Sequence, residues 1–314
     1  MNDFFKFKGK ALVSATPLKF SDPRFEENGF SIIKIEPTYD YAKEIDIKPS
    51  TNILREVWEE FGWMPFITGQ DKDRPFFIFI NSVGIIYSII SQLKLFDKSS
   101  VFCAPKSIDK LKQNNFNRCY ENWDIERMSQ YNFFTSRFFN AVDIELDFKP
   151  YVILVTDVYF AEQTMFDPYS DVVQIIGRFR NGITAVTHVT NSKYELPQRT
   201  EEELDEFVRT SEEVYNTLKT FYNAAANKGA RIAYKAAMDS LPFNQMLDID
   251  GNKNWFAVDN YINDALVTGY YRDVKSLQRA YEQHNDILTP SVFALSDRPA
   301  LTDEDLRFKR GLKT

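Results

Sequence analysis

The sequence is poor in the residues that build metal centres and disulfide frameworks. Its 314 residues include only two cysteines and two histidines. Cys103 and Cys119 lack the CxxC spacing of metal sites and redox motifs, so we expect neither a metal site nor a disulfide framework. His188 and His284 are isolated, which argues against a histidine-based metal site or catalytic triad. Because His188 lies in the strand-like stretch VTHVTN, it is predicted to be a packed core residue rather than a base.

The sequence also lacks the long apolar segments of secreted and membrane proteins. The N-terminal stretch MNDFFKFKGK has no apolar core of the kind found in signal peptides. No run of about 18 apolar residues occurs, so neither a transmembrane span nor a membrane partner is expected. With so few cysteines, the expected location is the reducing cytoplasm.

Apolar residues and acidic charge are plentiful. Hydrophobic residues make up 44% of the chain, with 28 Phe and 16 Tyr, which is enough to build a sizeable core. The length fits two domains, or one domain with an appendage. The net charge of −7 argues against a surface that coats polyanions in general. A local basic groove is still compatible with it, because binding follows the local field rather than the sum of charges.

Strands that alternate with helices are predicted in the first two thirds of the chain. Apolar or alternating runs predict strands at 41–49 and 74–83 and within SSVFCAP, YNFFTSRFF and YVILVTDVYF. Helical spacing is found in NILREVWEEFGW, with Ser50 or Thr51 as its cap, in GIIYSIISQLK, and in SIDKLKQNNF, with Ser107 as its cap. This alternation is typical of a parallel sheet in an α/β protein.

The two ends of the chain have other patterns. Residues 10–18 and 31–37 are predicted to form two further short strands. After residue 196 the sequence becomes helical, with Thr200 and Glu203 spaced as a capping box. Gly251 lies between two alternating runs and predicts a hairpin near residues 243–260.

The stretch QIIGRFR places two arginines directly behind a glycine. Gly177 can let the backbone turn tightly or approach a ligand, and Arg178 and Arg180 each present a guanidinium that stays charged at any working pH. Two such groups near a helix start suit a triphosphate and can stabilise the charge on a transferred phosphoryl group. The alternative interpretation is a surface helix whose arginines make exposed salt bridges.

The stretch TSRFFNAVDIE, one strand earlier, combines hydroxyls with a carboxylate. Thr135 and Ser136 end an apolar strand, and Asp143 follows them. Hydroxyls and amides at a strand end can hold a nucleic-acid phosphate. A carboxylate can contact a ribose or order a neighbouring arginine.

Two other stretches end predicted strands with small polar residues. FIFINSV ends with Asn81 and Ser82, and SATPL places Ser14 and Thr16 after a strand. Each of these two signals is weak on its own.

In their order and spacing, the four stretches resemble the conserved blocks of superfamily 2 helicases, the ATP-driven nucleic-acid motors. SATPL resembles the block that closes the first RecA-like lobe, and FIFINSV resembles the strand that opens the core of the second. TSRFFNAVDIE is similar to the block that consists of Thr, Ser or Asp, then five variable residues, then Gly-x-Asp. QIIGRFR is similar to the arginine-finger block. The resemblance covers about residues 10–195, and the form GRFRN is similar to that of phage-type and origin-binding-protein-like helicases. A bacterial or phage-encoded chain is therefore expected.

The resemblance implies a role for each of these polar residues. Those that would act at the nucleotide cleft are Arg178, Arg180, Gln174, Gly177 and Asp143. Arg178 and Arg180 would reach the γ-phosphate, either of them as the arginine finger, and Gln174 would meet either the nucleotide or the other lobe. Those that would contact the nucleic-acid strand are Thr135, Ser136, Asn81 and Ser82. Those that would couple the two lobes are Ser14 and Thr16.

The sequence also departs from this family. No G-x-x-x-x-G-K-[ST] loop occurs, and no acidic magnesium-binding pair precedes SATPL. Ala141 stands where the family usually has glycine, and Asn181 stands at the usual position of the second arginine. ATP and Mg²⁺ would therefore be held mainly by a first lobe that this sequence does not contain. The chain is expected to be a fragment of a longer one; a separate first-lobe polypeptide and a loss of ATP hydrolysis are the alternatives.

The expected fold is α/β, with a RecA-like lobe of mostly parallel sheet followed by a mainly helical C-terminal region. Residues 1–38 would be the end of the first lobe and a linker, 39–195 the second lobe, and 196–314 the helical extension. The expected function is to supply the arginine finger and strand contacts of an ATP-dependent helicase or translocase on nucleic acid, with DNA favoured. The isolated chain is expected to be inactive. The alternative is a non-catalytic nucleic-acid-binding or scaffold module derived from a helicase lobe.

Overall fold

The structure is a computed structural model that describes residues 4–16, 19–35, 38, 42–69, 73–140, 142–283 and 287–294. The chain divides into two compact units. The sheet unit comprises residues 37–196 and 270–314, and the helical unit comprises residues 1–36 and 197–269. Each unit is thus built from two separate stretches of the chain.

The strands of the sheet unit form one sheet. In chain order they are β1 (Lys43–Pro49), β2 (Phe76–Phe79), β3 (Ser99–Phe102), β4 (Cys119–Tyr120), β5 (Tyr131–Phe134), β6 (Tyr151–Val155), β7 (Ala185–Thr190) and β8 (Leu288–Val292). Their order across the sheet is β4-β3-β5-β2-β6-β7-β1-β8, and every pairing is parallel. The predicted α/β architecture with a parallel sheet is therefore confirmed for the part of the chain that the structure describes.

The helices lie between the strands and in the helical unit. In chain order they are α1 (Arg24–Glu27), α2 (Ile53–Thr68), α3 (Val83–Gln92), α4 (Pro105–Gln113), α5 (Val173–Gly177), α6 (Glu201–Ala224), α7 (Lys228–Ser240), α8 (Trp255–Tyr270) and α9 (Val274–Glu282). A π-helical turn, Pro168–Val172, leads directly into α5. Among the described residues, no helix combines the length and the apolar character needed to cross a bilayer.

The two faces of the sheet have different chemistry. Successive residues of a strand point to opposite faces. On one face, Phe76 and Ile78 join the largely aliphatic core beneath α2 and α3. On the other face, Phe77 and Phe79 stack on Phe134 with ring centroids 5.6 and 5.1 Å apart. Fully buried strands of this kind give the continuous apolar runs seen in the sequence.

The helical unit has a small core of its own. Its buried side chains come from α6, α8 and the 3₁₀ turn Pro242–Met246, and they are Leu204, Val208, Phe243, Met246, Val258 and Ile262. The predicted capping box is confirmed, because Thr200 accepts a hydrogen bond from the Glu203 amide while the Glu203 carboxylate accepts one from the Thr200 amide. The helix α6 therefore begins where the sequence predicts.

The predicted strands near the N-terminus are wrong over the residues described. The stretches 10–16 and 31–35 carry no strand. Their β-branched residues Val13 and Ile32 are 97% and 98% exposed. Backbone of strand-like composition needs a neighbouring strand for its hydrogen bonds. The described part of the helical unit contains no strand to supply them.

The residues that cap helices and form turns were predicted less accurately than the helices and strands themselves. Asn52, rather than Ser50 or Thr51, caps α2 by accepting from the Arg55 amide. Ser107 lies inside α4, which begins at Pro105. The expected hairpin near residues 243–260 is reduced to one antiparallel bridge between Leu247 and Lys253 around Gly251. The residues after it are helical because the Asn254 side chain accepts from the Ala257 amide at the start of α8.

Candidate functional site

The residues assigned to nucleic-acid contact come together at one edge of the sheet. Asn81 and Ser82 follow β2, and Thr135 and Ser136 follow β5. Because β2 and β5 are parallel neighbours, with Phe79 opposite Phe134, both pairs lie at the carboxyl ends of adjacent strands. Loops at this edge are where open α/β sheets bind their ligands.

Local hydrogen bonds fix most of these side chains. Ser82 caps α3 by accepting from the Ile85 amide at 3.4 Å, and the Asn81 amide donates to the Gln163 carbonyl at 3.0 Å. Ser136 is exposed, whereas Thr135 is only 8% exposed. The site available to a ligand is therefore formed by Ser136, Asn81 and the N-terminal turn of α3.

The arginine pair follows the end of a helix, which corrects the expected position near a helix start. The π-helical turn begins at Pro168, so the helical stretch is already complete when the chain reaches Arg178. Its guanidinium is held by Gln174, with Nη2 2.8 Å from the side-chain oxygen and Nε 3.1 Å from the carbonyl. The side chain of Arg178 is only 18% exposed. This arginine is fixed on its own helix.

Asp143 connects the two arginines. Its carboxylate accepts from Arg180 Nη2 at 2.6 Å and lies 3.7 Å from Arg178 Nη1. The side chains of Arg180 and Asp143 are 49% and 51% exposed. The sequence interpretation that a carboxylate in this stretch orders a neighbouring arginine agrees with this contact. Of the two guanidiniums, that of Arg180 is the one presented to solvent.

A short parallel bridge holds these residues together. Ile144 pairs with Phe179: the Ile144 amide donates to the Arg178 carbonyl at 2.8 Å, and the Arg180 amide donates to the Ile144 carbonyl at 3.2 Å. The Phe179 ring is buried edge-on against Phe77 of β2 at 5.2 Å. Because alternate residues point to opposite sides, burial of Phe179 directs its two arginine neighbours outward.

A groove of about 330 Å³ lies beside Arg180. Its lining includes Gly177, Lys43 at the start of β1 and Leu288 at the start of β8. The groove therefore lies toward the amino ends of these strands, whereas Asn81 and Ser136 follow the carboxyl ends of theirs. The structure thus brings the cleft residues together and the strand-contact residues together, as two separate groups. The groove beside Arg180 is not at the carboxyl-end edge near Thr135, where the arginine pair was expected, and this corrects that expectation.

Two predicted details are changed by the geometry. Gly177 has an ordinary helical backbone and open space where a Cβ would stand, so the tight turn expected there is absent. The left-handed residue of this segment is Gly182, with φ of +81°. Ala141 lies outside the described residues.

Ser14 and Thr16, assigned to lobe coupling, belong to the helical unit. The Thr16 amide donates to the Ser14 hydroxyl at 3.1 Å. Thr16 is buried, with 6% exposure, while Ser14 is exposed.

Sequence reasoning missed Lys43 and Asn140. Lys43 adds a second cation to the lining of the groove beside Arg180, and the Asn140 carbonyl accepts from Arg178 Nη1 at 3.4 Å. No sequence motif marks either residue, because Lys43 reaches the groove only through the distant pairing of β1 with β7 and β8.

Fold and site together define an α/β protein with an all-parallel sheet and a solvent-facing arginine–aspartate cluster. Comparison with protein-family models, with curated proteins and with solved structures finds no match to this chain. In the part of the chain that the structure describes, no group of three or more His, Cys, Asp and Glu side chains is placed to hold a metal ion.

Proposed function

We propose that this chain is the second RecA-like lobe, with a helical extension, of an ATP-driven superfamily 2 helicase or translocase. The contact of Asp143 with both arginines carries the proposal. It joins two blocks that are more than 30 residues apart and that were assigned to the same nucleotide cleft from the sequence alone. If the likeness of these two motifs to the helicase blocks were accidental, nothing would require their side chains to be in contact.

Arg180 is the better candidate for the arginine finger. Its guanidinium is half exposed and has one charged partner, Asp143. Exposed ion pairs contribute only about 0–1 kcal/mol, so a phosphate can replace this carboxylate at little cost. A guanidinium fork then stabilises the charge that spreads over the γ-phosphoryl oxygens in the transition state. The guanidinium of Arg178 is held by Gln174, so Arg178 would instead position the turn that presents Arg180.

The edge formed by Asn81, Ser82 and Ser136 would receive the nucleic-acid strand. The N-terminus of α3, a ten-residue helix, presents backbone N–H groups and the positive end of the helix dipole, which favour a phosphate. Contacts of this kind fix the backbone of a strand without reading its sequence. They support DNA and RNA equally, and DNA stays favoured only by the sequence resemblance.

A P-loop lobe would have to come from outside this sequence. The chain has no phosphate-cradling loop, and its own candidates for a triphosphate are the cations Arg180 and Lys43. ATP and Mg²⁺ would therefore be held mainly by the partner lobe. The exposed apolar residues of the N-terminal stretches, among them Val13 and Ile32, support a surface that such a lobe covers.

ATP hydrolysis tests the proposal. The isolated chain should give no turnover, and it should activate a P-loop lobe encoded in the same source, whether fused or added separately. Arg180→Ala should lower this activity by about 10³-fold or more, with Arg178→Ala acting chiefly through stability. Arg209→Ala, an exposed arginine of α6, is the matched control. Robust turnover by the isolated chain would overturn the proposal.

Strand binding is tested independently of ATP. Ser136→Asp places a negative charge where a phosphate would lie, and it should weaken binding of a fluorescent oligothymidylate by about tenfold or more at low salt. Ser240→Asp, at an exposed serine of α7, adds the same charge in the other unit and should leave binding unchanged. Strand binding without any activation of ATPase would favour the non-catalytic nucleic-acid-binding module. Equal binding by wild type and Ser136→Asp would exclude this edge as the strand site.

A further inference from the structure

A groove of the sheet unit lies along α2, on the face of the sheet opposite the arginine cluster. Its volume is about 840 Å³, and aromatic side chains form much of its wall. Trp58, Trp63 and Phe66 of α2 are 57%, 42% and 77% exposed, and Phe293 stands just after β8. Exposed aromatic groups of this size, grouped on one helix, are characteristic of binding surfaces.

Three charged side chains are buried at the floor of this groove. Lys48 of β1 is 6% exposed, and Glu56 and Glu60, one turn apart on α2, are 8% and 1% exposed. The Lys48 ammonium donates to a Glu60 oxygen. Two carboxylates against one ammonium leave an excess of one negative charge.

Glu56 carries the excess. Its Oε2 is buried and has no hydrogen-bond partner among the described residues, and the same is true of Glu60 Oε2, but only Glu60 has an ammonium partner, Lys48, through its other oxygen. A buried carboxylate oxygen without a partner is unfavourable, and an uncompensated buried charge destabilises a protein. Glu59, which also lines the groove, differs, because it pairs with Arg55 at 3.0 Å near the surface.

The walls of the groove already receive one cation. The Lys48 ammonium lies 5.4 Å from the Trp63 ring centroid and 5.0 Å from that of Phe293, both within the range of cation–π attraction. The groove therefore combines rings that accept a cation with a carboxylate that lacks one.

From these observations we propose that the α2 groove binds a ligand that carries one alkylammonium or guanidinium group on an apolar body. The cationic group would pair with Glu56, and the apolar body would lie against Trp58 and Phe66. Such a group occurs both on free amines and on the lysine and arginine side chains of a peptide. This proposal does not depend on the helicase proposal.

Tryptophan fluorescence provides the test, because Trp58 and Trp63 are two of the four tryptophans and both line the groove. The full chain is titrated with n-butylguanidinium and, separately, with a capped Leu-Arg-Leu peptide at pH 7.5. A saturable change is expected with at least one probe. Tighter binding of the peptide identifies a protein side chain as the ligand, and binding of the free cation alone identifies a small molecule.

Three variants make the test specific. Glu56→Gln, which keeps the shape of the side chain, should weaken binding at least tenfold. Glu59→Gln removes a carboxylate that is already paired with Arg55 and should weaken binding much less than Glu56→Gln. Phe66→Ala removes an exposed ring with little effect on the core and should weaken binding several-fold, so the proposal can be tested even if Glu56→Gln fails to fold. Equal binding by wild type and Glu56→Gln, or no saturation with either probe, would overturn the proposal.

Discussion

His188 shows how burial alone decides what a residue can do. It lies in β7 with no exposed surface, and its two ring nitrogens lie 3.0 Å from the Thr156 hydroxyl and 2.9 Å from the Tyr281 hydroxyl. Burial lowers the pKa of His188 to about 3, because the charged ring cannot be solvated. The prediction of a packed core residue rather than a base is confirmed.

This burial makes the stability of the fold depend on pH. The unfolded chain binds a proton at His188 below about pH 6.5, and the folded chain does so only near pH 3. Stability from this group is therefore complete above pH 6.5 and is lost as the pH falls toward 3. At pH 5 the loss is about 2 kcal/mol. Urea unfolding of wild type and His188→Gln at pH 7.5 and 5 checks this: the variant should lose about 2 kcal/mol less between the two pH values. An equal loss would contradict the assignment.

At the residue scale, the sequence identified the chemistry of the site but not its geometry. Arg178, Arg180 and Asp143 were singled out by type and order, and their contact follows from the bridge between Ile144 and Phe179. That bridge depends on a buried ring packing against β2, and no local pattern around Phe179 reveals the packing. Lys43 was missed for the same reason, since long-range strand pairing brings it to the groove.

At the element scale, strongly periodic segments were predicted well and their ends less well. Each predicted strand from residue 41 to residue 160 is present. The strand at 41–49 was marked by alternating apolar and polar residues, and the later strands by continuous apolar runs, which are typical of a sheet buried on both faces. The N-terminal stretches have the same composition without strand neighbours and so form none. The residue Asn52 displaced the expected caps of α2 because three adjacent polar residues compete for that position.

The cap of α6 gives a quantitative test at this scale. Thr200→Ala removes the acceptor for the Glu203 amide and should lower the free energy of unfolding by about 1 kcal/mol. Thr217→Ala, in the middle of the same helix, removes a hydroxyl that donates to the Glu213 carbonyl and should be neutral or stabilising by a few tenths of a kcal/mol. Urea unfolding followed by circular dichroism measures both. A Thr200→Ala variant as stable as Thr217→Ala would show that the capping box contributes nothing.

At the scale of the whole molecule, the exposed apolar stretch near the N-terminus determines behaviour in solution. Ile33 and Ile35 are 81% and 87% exposed in backbone that carries no strand. Exposed segments rich in β-branched residues can pair with one another between molecules. The isolated protein should therefore self-associate as its concentration rises, as measured by sedimentation velocity.

Charge should suppress this association. The double substitution Ile33→Lys with Ile35→Lys should keep the protein monomeric without changing its circular dichroism. Ile249→Lys, at another fully exposed isoleucine in the turn before α8, is the control and should associate like wild type. If wild type shows no concentration dependence, the exposed stretch is not an adhesive surface.

The order of the strands across the sheet has a consequence for synthesis on the ribosome. None of the first three strands pairs with another of the three: β1 lies between β7 and β8, β2 between β5 and β6, and β3 between β4 and β5. A nascent chain that has emerged as far as residue 102 therefore holds three strands with no partner available, and β2 among them is wholly apolar. Strand β1 has no partner strand until residues 185–190, which form β7, have been translated. The nascent chain should therefore bind chaperones during much of its synthesis, because long-range parallel pairing is slow and leaves apolar segments exposed.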